Sequence, residues 1–174
     1  MLIFMNRLAV VGTLLAVLVL GTSACGTSDR AATAAPSAPA TTPATPVPVV
    51  RDVLDNDMTP PGAPGSTLSL VRYTIAPGAK LAPHVHPGVQ MASIESGTLT
   101  YTVMSGIAQV RRAGASTNTP TAGPITIQLG RGDAVTEVGN MVHFGENKTK
   151  EPVVILATLL TEHGHPLAEP VPTH

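Results

Sequence analysis

The chain has 174 residues, a formal net charge of −1 and only 12% charged side chains, so nothing in its charge favours nucleic acid or an anionic membrane surface as a partner. Aromatic residues are scarce (two Phe, two Tyr, no Trp), so any core must be filled by Val, Ile, Leu and Met. The length suits one folded domain with additional tails.

Met1 to Asn6 and the basic Arg7 precede an uncharged apolar run from Leu8 to Leu20. That run is short for a membrane span and is followed by small residues, the shape of a secretory signal over residues 1–24. It ends in Gly21-Thr22-Ser23-Ala24-Cys25. This resembles a bacterial lipoprotein signal, in which a small residue precedes a cysteine that is lipidated and becomes the new N-terminus. Thr22 stands where an aliphatic residue is usual. Cys25 is the only cysteine, which excludes an intrachain disulfide. The resemblance implies an exported protein held at the outer face of the cell membrane by acyl chains on Cys25. Residues 25–50 are rich in Ala, Thr and Pro and bury too little apolar surface to fold, so they are expected to form an extended, disordered stalk.

The remainder, residues 51–174 with a core at 66–162, reads as strands and turns. Thr67 to Ile75 is rich in strand formers and stops at Pro77-Gly78. Val89 to Ile94 and Thr98 to Met104 flank Glu95-Ser96-Gly97, which reads as a hairpin. Ile125 to Leu129, Ala134 to Val138 and Pro152 to Leu160 are further strands, and Ala113 to Pro124 is expected to be an exposed loop. Between Ser66 and Leu160 no helical periodicity appears. Short, regularly spaced strands with Gly/Pro turns predict an all-β sandwich or barrel.

Two clusters carry the chemistry. In the first, His84 and His86 are two apart, so on a strand both imidazoles share a face and suit a divalent transition metal such as Zn, Mn, Fe, Ni or Cu. Gln90 follows beyond the Pro87-Gly88 bend, placed to turn back toward the same point. From Gly78 to Gly97 the spacing resembles the first motif of the cupin superfamily, with Gln90 where a glutamate ligand is usual. In the second cluster Gly132, His143 and Asn147 fall in register with the second cupin motif, while Val138 and Asn140 replace the Pro and Gly of its turn. Asn tolerates the left-handed backbone that Gly would supply there.

The resemblance implies a single cupin β-barrel, a double-stranded β-helix or jelly roll, with His84, His86, Gln90 and His143 as metal ligands, or with Gln90 not ligating and a three-His site left with open positions. An amide in place of a carboxylate would leave the metal site more positive and favour anionic ligands. Glu95 reads as a turn residue. His163 and His165 read as a solvated tail, and Arg111-Arg112 as a solvated strand end. Two functions stand: a metal-dependent enzyme acting on a small molecule by oxygenation, isomerisation or lyase chemistry, or a non-catalytic module that binds a metal or small ligand. The sequence also leaves a homodimer open.

Overall fold

The computed structural model describes residues 48–172. The expected export signal, Cys25 and the expected Ala/Thr/Pro-rich stalk as far as residue 47 lie outside the described residues. Two residues before the expected domain start lies the first residue of β1 (Val49–Asp57), an edge strand that sequence patterning missed. Eight of its nine residues are exposed, so it carries no apolar alternation by which to recognise it.

The remaining strands follow in order. β2 (Ser66–Ile75), β3 (His84–Val85), β4 (Gly88–Ser96), β5 (Thr98–Ser105) and β6 (Ile107–Arg111) form the first half. β7 (Thr119–Ala122), β8 (Ile125–Gly130), β9 (Ala134–Val138), β10 (Val142–Glu146), β11 (Val153–Glu162) and β12 (Glu169–Pro170) form the second. All pairings are antiparallel, and no helix occurs among the described residues. One sheet has the order β1-β2-β11-β4-β9-β6-β7 and the other β12-β3-β10-β5-β8. This is the two-sheet, double-stranded β-helix that the motif resemblance implies.

Two expectations are corrected. Glu95-Ser96-Gly97 does not close a hairpin: β4 pairs with β11 and β9, whereas β5 pairs with β10 and β8, so the turn is a corner between the sheets. The segment Ala113–Pro124 is not wholly loop, because Thr119–Ala122 forms β7 against β6. Three of its four residues are exposed and it pairs only at a sheet edge, where polar composition does not preclude a strand.

The core lies between the sheets. Val71, Ile75, Val103, Leu129, Val153 and Leu159 are all essentially inaccessible. Alternate residues of β2 (Ser69, Val71, Tyr73, Ile75) and of β4 (Gln90, Ala92, Ile94) point inward, the period-two pattern of a half-buried strand. The inward row of β4 therefore begins with a polar residue, and there the site is built.

Candidate metal centre

His84 belongs to β3, His86 follows it immediately, and His143 lies on β10, directly paired with His84 in register. Two stretches almost sixty residues apart are thus joined by one strand pairing. The ring centroids are 4.4 Å apart for His84 and His143, and 5.2 Å apart for each remaining pair. One ligand atom from each of the three histidines lies within 4.8 Å of the others. Asn140 leads through Met141 into β10, and its φ of 68° is the left-handed backbone expected at that position.

Backbone carbonyls orient all three rings. Nδ1 of His84 bonds to the carbonyl of Ala82 at 2.8 Å, that of His86 to Leu167 at 2.6 Å, and that of His143 to Met141 at 3.2 Å. A carbonyl accepts, so each Nδ1 carries a proton and Nε2 is the atom each ring has left to offer to a cation or to a second proton. Leu167 lies in the C-terminal segment, which is not a solvated tail throughout: it folds back so that β12 pairs with β3. His163 and His165 stay outside the cavity, the latter exposed between Glu162 and Glu169.

Gln90 is buried on the inner face of β4, and its Nε2 donates to Oε2 of Glu137. Glu137 is the residue that sequence reasoning missed. It is only 2% exposed, and its two carboxylate oxygens lie 3.2 Å from Nε2 of His86 and 3.2 Å from Nε2 of His143. A parity signal was present: Val135 and Glu137 alternate inward along β9, so a charge falls on the apolar face. The site is therefore not short of a carboxylate, and the more positive centre expected from Gln90 does not arise.

Burial alone would push Glu137 up, but His143 and His86 outweigh it and hold the carboxylate well below its usual range. His143 is raised in turn: burial disfavours its cation, and the Glu137 charge more than compensates. His84 is lowered to about 4, by burial first and then by His143, so it is neutral at pH 7. Tyr101, on β5, stands beside the cluster with its ring 5.7 Å from His143. Burial and the Glu137 charge raise its phenol, which stays neutral. Arg72 points elsewhere, pairing with Glu95 at 3.0 Å on the exterior, and Arg112 is held by Asp133 at 2.7 Å.

These residues line a cavity of about 320 Å³. Its other walls are mainly aliphatic, with Ile75, Ile94, Leu99, Leu129 and Val135, and Arg51 and Tyr73 also line it. Gly145 faces Tyr101 across the strand pair, and a Cβ there would press on Leu99, so the missing side chain keeps the space open. The donor set fits a first-row divalent cation. Three imidazoles offer Nε2 atoms, and Nε2 of His86, Oε1 of Gln90 and the Tyr101 hydroxyl are buried without an aligned hydrogen-bond partner.

No protein-family model matches the chain, and no curated protein is similar to it. Among solved structures it is similar to a cupin superfamily protein from Desulfitobacterium hafniense (13% identity, TM-score 0.46, covering 66% of this chain and 78% of that one). It is also similar to the Cupin_2 domain of an XRE family transcriptional regulator from Enterobacter cloacae (15%, TM-score 0.45, 66% and 97%). An oxalate decarboxylase from Lactobacillus farciminis, in complex with formate, is similar over 55% of this chain and 24% of its own (20%, TM-score 0.40). The strand order of its two sheets, and the pairing that joins its two histidine motifs, make this domain a cupin-type double-stranded β-helix.

Proposed function

We propose that this protein is an exported, membrane-anchored, metal-binding cupin whose metal centre acts on a small molecule inside the barrel. The observation that carries the reading is the orientation of the three histidines. Three separate carbonyls engage Nδ1 of the three imidazoles and leave each Nε2 to be satisfied; Glu137 reaches two of them, and a cation would satisfy all three at once. His84, His86 and His143 would hold the metal, which when bound supplies Lewis acidity or a redox centre. Around it the chain does the rest. The aliphatic walls exclude water, Arg51 offers a positive charge to an anionic group, and the neutral Tyr101 phenol is placed to donate a hydrogen bond to a bound molecule. A cavity of about 320 Å³ restricts that molecule to a small one.

Export and anchoring rest on the sequence from Arg7 to Cys25, and residues 26–47 would serve as the stalk. Metal analysis of the purified protein tests the centre. The wild type should carry about one equivalent of a first-row metal, and His84→Ala and His143→Ala should each lose it; unchanged content in both variants would remove the site. For the anchor, Cys25→Ser should move the protein from the membrane fraction to the soluble one. Turnover is tested by oxygen uptake and product analysis with a panel of small acids and diols, comparing metal-loaded wild type with Tyr101→Phe. Tight binding of a panel member without turnover would favour the non-catalytic module instead.

A further inference from the structure

The motif-one carboxylate of this cupin is absent from β4, yet a buried carboxylate occupies the same region from the neighbouring strand. Gln90 and Glu137 are direct partners in the antiparallel register of β4 and β9. Directly opposed residues project from one face of the sheet with Cβ atoms about 5 Å apart, so a side chain from either position reaches the same volume. We propose that the two positions have exchanged roles, Glu137 serving as the anionic metal ligand and Gln90 as the residue that positions it. The assignment rests on the metal reading above.

Three independent features support it. First, Glu137 has the required separation from two of the three histidines. Donor atoms sharing one ion at about 2.1 Å lie roughly 3.0 to 3.4 Å from each other in octahedral or tetrahedral geometry. The carboxylate oxygens stand 3.2 Å from Nε2 of both His86 and His143. Second, Glu137 is 2% exposed and its polar neighbours are His86, His143, Gln90 and the Tyr101 phenol, with no Lys or Arg among them. A carboxylate removed from water needs a compensating positive charge; His143 and His86 supply it as imidazolium, and a bound cation would take the place of those protons at the same Nε2 atoms. Third, the Gln90 amide donates to Oε2 of Glu137, which fixes which end of the amide faces the carboxylate. That bond is the outer contact by which ligating carboxylates are usually held. The exchange leaves the centre with three imidazoles and one carboxylate, so its net charge matches that of a cupin with glutamate in the first motif.

Cobalt(II) binding to the metal-free full chain tests the exchange, read by chelator competition and by the visible absorption of the bound ion. Glu137→Gln should weaken binding by more than about 100-fold and change the absorption spectrum, whereas Gln90→Ala should lose only about 10- to 100-fold, the usual range for an outer contact. The interchange variant Gln90→Glu/Glu137→Gln should recover affinity to within about tenfold of wild type. Wild-type affinity and spectrum in Glu137→Gln, or a larger loss in Gln90→Ala than in Glu137→Gln, would overturn the assignment. Should Glu137→Gln fail to fold, the metal-loaded minus metal-free infrared difference spectrum of the wild type decides. A shifted carboxylate stretch supports the exchange, and a difference spectrum without any carboxylate band overturns it. Cobalt retained by both His84→Ala and His143→Ala would remove the metal reading itself, a distinguishable failure.

Discussion

Both polar atoms of Asn147 are engaged with backbone and neighbouring loop groups. Its Nδ2 donates to the carbonyls of Ile75 at 2.9 Å and Glu151 at 2.8 Å, while Oδ1 accepts from the amide and hydroxyl of Thr149. It is completely buried, so the second-motif asparagine acts as a pin between the end of β2 and the approach to β11 and takes no part in the metal cluster. Asn147→Ala leaves several buried groups unpaired and is expected to lower stability by about 3 kcal/mol, measured by urea denaturation, with cobalt affinity changed little. Asp133 is a second such residue. Burial pushes its carboxyl up, but the amides of Gly130 and Ala113 and the Arg112 guanidinium more than offset this, and the folded pKa lies below the ordinary value. A depressed carboxyl stabilises the fold above its unfolded pKa, and that contribution is lost as pH falls through the folded one. The stability gap between wild type and Asp133→Asn should therefore be constant above about pH 5 and close as pH drops below about 4. A gap that widens in acid would contradict the geometry.

At the scale of elements, what was legible in the sequence follows from what each strand buries. β2, β4, β5, β8, β9 and β11 alternate or run apolar because at least one face meets the core, and their bounds fall within a few residues of the sequence expectation. β1 and β7 are exposed along nearly their whole length, so their residue types were free to resemble linker and loop. The corner at Gly97 was unreadable for another reason: a tight turn between two strands looks the same whether they pair or enter different sheets. The histidines of the site were legible from spacing alone. Glu137 was not, since its importance depends on β4 and β9 being neighbours, a non-local fact. Gly88 marks where local sequence and register meet. It has a φ of 146°, and a Cβ there would collide with the Leu160 carbonyl of β11. Gly88→Ala must displace β4 from β11 and with it Gln90. It is expected to cost about 2 kcal/mol or more and to weaken cobalt binding, because the amide no longer meets Glu137. The folded-back C-terminal segment makes a parallel case. Truncation after Glu162 removes the Leu167 carbonyl that orients His86. Loss of such a contact should reduce metal affinity about 10- to 100-fold without abolishing the fold.

For the molecule as a whole, the site and the fold are one structure, since the strands that close the barrel also carry the donors. His143 is paired with His84 through β3 and with Val103 through β5, so separating the imidazoles requires opening the five-stranded sheet. In the unfolded chain nothing holds these donors together, and metal binding must then stabilise the folded state by mass action. At a free metal concentration one hundred times the dissociation constant the gain is about 2.7 kcal/mol. For a domain of this size that corresponds to a rise in melting temperature of roughly 5 to 12 °C. A core variant separates this coupling from ordinary stability. Leu159 is fully buried between Ser69 and Gln90 in the sheet register. Leu159→Ala should lower the melting temperature with and without metal by a similar amount, reflecting a loss of about 3 kcal/mol. His143→Ala should instead remove the metal-dependent increment. Differential scanning calorimetry with and without cobalt distinguishes the two. An increment that survives in His143→Ala would mean that the ion stabilises the fold from somewhere other than the paired imidazoles.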